Sequence, residues 1–170
     1  PPAAASPEDE EKASEMLSQA RELSLDLKAT EAKKKLVELC TQYPGTRSCR
    51  GSEKLRKELE VFGRDAGELE VEKWYTEPGS YSDGKVTLLV FWEVWCPHCK
   101  REVPALKATY EKFHGDGLQV IGLTKITKSS TEEKVQEFIT DNALPYPIAK
   151  ENGKLSARFN VSGIPASAVV

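Results

Sequence analysis

Two cysteines three residues apart lie on one helical turn, close enough to join as a disulfide after modest adjustment and to part again without unfolding the chain. Cys96-Pro97-His98-Cys99 has this spacing. It follows the apolar run Val86–Trp92 and opens a helical stretch, so Cys96 falls at a strand-to-helix junction. There its sulfur meets the unpaired backbone N–H groups of the first turn and the positive end of the helix dipole, and both favour thiolate over thiol. Pro97 suits the first helical position, where a missing N–H costs nothing. His98 can donate to the Cys96 sulfur or place a positive charge near it. Holding the reduced form as a thiolate would make the pair more oxidising. The sulfurs themselves carry the electrons, so the chemistry calls for no cofactor.

Other uses of these cysteines compete with redox exchange. A C-x-x-C pair is often half of a zinc site, but Cys40 and Cys49 are nine apart in a different region, and tetrahedral ligation needs a second well-spaced pair. No metal is therefore expected. A permanent staple is the other use, and a short loop at a helix start flanked by Trp92 and Trp95 is poorly suited to it. Trp95 either shields the sulfurs, receives a substrate or simply packs. Cys40 and Cys49 flank the Pro44-Gly45 turn between two helical patterns. A disulfide there would lock the hairpin, contribute about 2–3 kcal/mol and imply an oxidising compartment; the alternative is two buried free thiols. His114 reads as a helix-terminal surface residue, and Lys33-Lys34-Lys35 as a solvated helix face.

Helices and strands must position these side chains. Over residues 12–62, Ala13, Met16, Leu17, Ala20 and Leu23 repeat at three and four, as do Ala29, Ala32, Leu36, Leu39 and Tyr43, and then Leu55, Leu59 and Phe62. Three amphipathic helices are predicted, with Pro44-Gly45 ending the second and Gly63 the third. With Tyr43-Pro44-Gly45-Thr46 at the turn, the region is similar to tetratricopeptide-type repeats; a plain helical hairpin fits equally well. From about residue 68, strands and helices alternate. Val86–Trp92 and residues 118–123 read as buried strands, with a helix over Pro97–Phe113 between them. A helix follows over 131–142, opened by Ser130 and Glu133 in capping-box spacing, then a short strand at 146–149 and a short helix at 155–160. A strand, a crossover helix and a parallel strand make an α/β unit. The expected domains are a linker over 1–11, a helical domain over 12–63 and an α/β domain over 64–170.

Composition narrows the field further. The chain of 170 residues carries 27 acidic and 24 basic side chains, a net charge of −3 and 39% hydrophobic content. Interleaved signs lack the basic footprint of a nucleic-acid binder, and Val86–Trp92 falls far short of the roughly 20 apolar residues that span a bilayer. The opening Pro/Ala/acidic stretch reads as a linker left by a signal peptide, a membrane anchor or a chain boundary. At the other end the chain stops within an apolar strand, and the expectation is that something follows Val170.

Trp95-Cys96-Pro97-His98-Cys99, Pro104 and Gly163-Ile164-Pro165 resemble the thioredoxin fold, and specifically the TlpA/ResA-like thiol-disulfide oxidoreductases, over about residues 68–170. The resemblance implies that Cys96 is an exposed nucleophile and that Cys99 resolves the mixed disulfide. It implies that Pro165 is cis and faces the cysteines, leaving the backbone of Ile164 to pair with an extended substrate. It implies that Glu102, in the pattern C-x-x-C-x-x-E-x-P, tunes the resolving thiol and assists proton transfer. The interval between Gly122 and Gly163 is similar to the insertion that separates this family from plain thioredoxin, whose last strand and helix this sequence lacks. Val90 stands where plain thioredoxins carry a buried acid, so a proton acceptor would have to be Glu102, Glu93 or water; Glu93, in place of a usually small residue, is expected to face solvent or form a salt bridge.

The function so implied is disulfide exchange with protein thiol substrates at an extracytoplasmic, periplasmic or exported location. His98 tilts the direction toward oxidase or isomerase, whereas the family likeness tilts it toward a reductase fed by a membrane electron-transfer partner. Two other classes stand beside it: a copper-binding assembly protein using both thiols, with His98 or His114 as the available histidines, and a module whose helices bind a partner protein while the redox site is vestigial.

Overall fold

A computed structural model describes residues 5–81 and 85–170, and the chain divides into two compact units, Pro1–Arg64 and Asp65–Val170. The first unit is helical: α1 (Pro7–Leu25), α2 (Ala29–Gln42), α3 (Arg47–Gly51) and α4 (Glu53–Glu60). Its core joins Ala13, Leu17 and Ala20 to Ala29, Ala32, Leu36 and Leu39, with Leu59 from α4. Small alanines on facing stripes let α1 and α2 approach closely.

Helix α1 begins inside the segment read as a linker, of which residues 1–4 lie outside the described residues. The reason is local. The Ser6 hydroxyl accepts from the Asp9 N–H at 3.1 Å, the Asp9 carboxylate accepts from the Ser6 N–H at 3.3 Å, and Pro7 takes the first helical position. This capping box with Asp in place of Glu starts the helix where composition alone suggested none. The expected third helix is two helices, interrupted at Ser52, and Phe62 is exposed beyond the end of α4.

In the second unit, β1 (Lys73–Trp74), β2 (Val86–Trp92), α5 (Pro97–Phe113), β3 (Leu118–Thr124), α6 (Glu132–Asp141), β4 (Ile148–Lys150), α7 (Lys154–Arg158) and β5 (Ala166–Val169) follow in order. The sheet runs β1-β4-β3-β2-β5, with β2, β3 and β4 parallel and both edge strands antiparallel to their neighbours. Val86 pairs with Leu118 and Trp92 with Thr124, so the two central strands end level.

Alternation along β2 divides its side chains between two cores. Val90 and Trp92 join Val103, Val135, Ile139 and Tyr146 on one face; Leu89 and Phe91 join Ile121, Leu123 and Leu155 on the other. Gly122 leaves room for the Trp92 indole, since a Cβ there would meet Nε1 at 3.0 Å. Helix α6 is capped by Thr131, whose hydroxyl accepts from the Lys134 N–H, one residue later than expected; Ser130 is buried in the preceding turn. Among the described residues, no helix is long and apolar enough to cross a membrane.

Candidate functional site

Strand β2 delivers the chain to a turn in which the Cys96 N–H donates to the Glu93 carbonyl at 3.1 Å, and α5 starts at once. Cys96 is the N-cap residue of α5. Its extended backbone turns the sulfur back over the first turn, where it accepts from the Cys99 N–H at 3.4 Å. A sulfur thus stands where Ser, Thr or Asp usually supplies oxygen to an unpaired helix N–H. Pro97 occupies the first helical position.

Both cysteines carry free thiols. Cys99 lies one turn into α5 on its inward face and packs in the same core as Val90, Trp92 and Val103. Its thiol is pushed up from the ordinary 9.0 to about 12, chiefly by burial and next by its hydrogen bond with Cys96, against a smaller opposing effect of the Glu93 backbone. Cys96 is itself only 4% exposed, which corrects the expectation of an exposed nucleophile. The N-cap geometry tucks its sulfur inward, and the Ile164 carbonyl lies 3.8 Å from it, accepting from the thiol. The Ile164–Pro165 peptide bond is cis, as the resemblance implies.

The neighbours are arranged less as expected. His98 is exposed, and its Nδ1 lies 2.9 Å from Arg101 Nη2. A guanidinium can only donate, so Nδ1 is the acceptor in this contact. No hydrogen bond joins His98 to the Cys96 sulfur. Glu102 is exposed on α5, one turn beyond Cys99, and its side chain makes no hydrogen bond or ion pair among the described residues. Val90 is buried, placing a hydrocarbon beneath the thiols where plain thioredoxins have an acid.

Glu93 neither faces freely into solvent nor forms a salt bridge. Half-buried, its Oε2 accepts from Trp95 Nε1 at 2.5 Å and from Thr127 Oγ1 at 3.3 Å. Trp95 is half exposed beside Cys96, which removes ordinary core packing from its possible roles. Arg101 and Thr127 carry no signal in the sequence, because each acts through a contact that only the folded chain makes. Tyr146 was likewise read only as part of a strand; its hydroxyl donates to the Val103 carbonyl at 2.6 Å and ties the chain before β4 to α5 behind Cys99. In the helical unit, Cys40 and Cys49 are joined by a disulfide, with Cα atoms 5.1 Å apart.

Known proteins resemble this chain in sequence and fold. The chain is 31% identical over 85 residues to sporulation thiol-disulfide oxidoreductase A of Bacillus subtilis, covering 49% of this chain and 52% of that one. It is 31% identical over 88 residues to thiol-disulfide oxidoreductase ResA of Bacillus cereus, covering 51% and 49%. The chain therefore spans about half the length of these curated relatives. A thioredoxin-like protein solved in solution in its oxidised form superposes with a TM-score of 0.53 at 26% identity, over 60% of this chain and 73% of that one. Residues 63–170 match the AhpC/TSA family; the chain belongs to that family, and its second unit has the thioredoxin-like fold.

Proposed function

We propose that the second unit exchanges disulfides with polypeptide substrates through Cys96 and Cys99. The observation that carries this is the Cys96 sulfur at the N-cap of α5, hydrogen-bonded to the Cys99 N–H and facing the Ile164 carbonyl. In the reducing direction, Cys96 as thiolate attacks one sulfur of a substrate disulfide, and the other substrate sulfur leaves as a thiolate. Cys99 then gives up its proton and attacks the Cys96 sulfur, so that the second substrate sulfur leaves. Two electrons pass to the substrate, and the enzyme is left with a Cys96–Cys99 disulfide. The oxidising direction is the reverse.

Deprotonating Cys99 is the demanding step, because burial holds its thiol near 12. Val90 offers no base, and Glu102, on the same helix one turn away, is the carboxylate we assign to that proton. The backbone of Ile164 would pair with the extended substrate, and Trp95 would flank it. The relatives' names support the class of reaction, and the Cys40–Cys49 disulfide supports an oxidising, extracytoplasmic setting.

Equilibration in glutathione buffers tests the proposal. The expected result is a reversible two-electron transition of Cys96 and Cys99, with the Cys99→Ser variant accumulating a mixed disulfide on Cys96. The potential gives the direction: a value near that of thioredoxin, about −270 mV, marks a reductase, and one near that of DsbA, about −120 mV, an oxidase. A Cys99→Ser variant that carries glutathione nowhere on Cys96 would sink the assignment of roles.

A further inference from the structure

Beside the cysteine turn lies an open groove of about 520 Å³, with Val94, Trp95 and Phe138 as its apolar part and Lys100, Lys128 and Lys134 on its rim. Five other lysines of this unit are ion-paired, Lys73 and Lys150 with Glu132, Lys107 with Glu111, Lys125 with Glu151 and Lys154 with Glu70, and Lys112 lies over the Phe113 ring. None of the three rim lysines has a carboxylate within ion-pair distance among the described residues, although Glu137 and Asp141 line the same groove. The charges are ordered along it. Lys134, Glu137 and Asp141 share one face of α6, and Asp141 lies roughly 10 Å farther along the axis than Lys134.

The cationic end is the one tied to the cysteine turn. Thr127, directly before Lys128, donates to the Glu93 carboxylate that also holds the Trp95 indole. The turn carrying Lys128 is closed by the Thr127 N–H donating to the Ser130 carbonyl at 3.0 Å and the Ser130 N–H donating to Thr127 Oγ1 at 3.1 Å. The groove wall is thus fixed before anything binds, which lowers the ordering cost of binding.

We infer that this groove is a substrate-recognition site taking the acidic polypeptide segment that flanks the reacting cysteine. An Asp or Glu close to that cysteine meets Lys100, Lys128 and Lys134, and an adjoining apolar side chain lies against Trp95 and Phe138. The inference rests on the thiol-disulfide reading and adds a substrate class to it: disulfides whose cysteines have acidic neighbours.

Two synthetic disulfide peptides that differ only in Glu or Lys next to the cysteine provide the test, with 2-hydroxyethyl disulfide as an uncharged reference. The reduced protein should react with the Glu peptide about five- to ten-fold faster than with the Lys peptide at low ionic strength, and the ratio should shrink as salt rises. In the combined Lys100→Gln, Lys128→Gln, Lys134→Gln variant the ratio should fall toward one. A wild-type ratio near one, with the reference disulfide still reduced, overturns the groove but leaves disulfide exchange standing. Failure to reduce the reference strikes at exchange itself, and the groove is then judged with peptides carrying Ser for Cys, their binding followed by tryptophan fluorescence. Tighter binding of the Glu peptide upholds it, and equal binding overturns it.

Discussion

Cys99 should be a slow thiol for a reason that can be measured. Its pKa is held at about 12 instead of 9.0, chiefly by burial. At neutral pH that shift leaves about a thousand-fold less thiolate than an ordinary cysteine has. A more basic thiolate is a better nucleophile, and with a Brønsted slope of about 0.4–0.5 this recovers roughly 15- to 30-fold. The net expectation is alkylation about 30- to 60-fold slower than that of a cysteine in an unstructured peptide. Timed iodoacetamide labelling of the reduced site, mapped by mass spectrometry from pH 6 to pH 11, reads it directly. The logarithm of the Cys99 rate should climb with unit slope past pH 10, whereas simple occlusion would slow the reaction without displacing its pH profile. In Cys96→Ser most of the retardation should persist, because the sulfur of Cys96 is the second cause and not the first. A plateau below pH 10 would refute the shift, and full recovery in Cys96→Ser would refute burial as its main source.

The same thiol links folding to pH. Between 9.0 and about 12 the unfolded chain has lost the Cys99 proton and the folded chain keeps it, so this contribution is complete below 9.0 and is lost as pH rises toward 12. Urea titrations should therefore show the dithiol form weakening across this window relative to the Cys96–Cys99 disulfide form, with Cys40–Cys49 intact in both; parallel curves would contradict it. Replacing Cys40 and Cys49 together with Ser should cost the helical unit about 2–3 kcal/mol, the loop-closure value for so short a loop, seen as a lower urea midpoint in the far-ultraviolet helix signal. An unchanged midpoint would show that the bridge constrains little. Tyr146→Phe should cost about 1–2 kcal/mol, because the buried Val103 carbonyl loses the hydroxyl that donates to it; a neutral effect in thermal unfolding would exclude that bond as a support of α5.

What the sequence disclosed is what short-range rules encode. The apolar run of β2, the helical repeats of α2, the C-x-x-C at a strand-to-helix junction and the cysteines flanking Pro44-Gly45 are all local patterns, and the elements they imply are present. The misses are of two physical kinds. Helix α1 starts early, and α6 is capped at Thr131 rather than Ser130, because a cap is decided by which side chain reaches an unpaired N–H, and neighbouring candidates compete within one residue. His98 turns to Arg101 and Glu93 to Trp95 through local contacts that residue type and spacing do not choose between, whereas the cover over Cys96 and the second bond to Glu93 come from groups far along the chain. Thr127 lies 34 residues from Glu93 and Ile164 lies 68 residues from Cys96, and no periodicity speaks of either.

The N-cap bond also bears on which way the electrons run. When Cys96 is a thiolate, the Cys99 N–H donates to a full negative charge; when the disulfide forms, the same N–H meets a neutral sulfur. Hydrogen bonds to charged groups contribute about 1.5–3 kcal/mol against about 0.5–1.5 for neutral ones, so this single donor favours the reduced form by about 1 kcal/mol. For a two-electron couple that is about 20 mV toward a more oxidising potential. Replacing the Cys99 amide by an ester through semisynthesis removes the donor and leaves both sulfurs in place, and the potential in glutathione buffers should fall by about 20 mV. A potential that does not move would mean that the cap holds the geometry of the turn without biasing its chemistry.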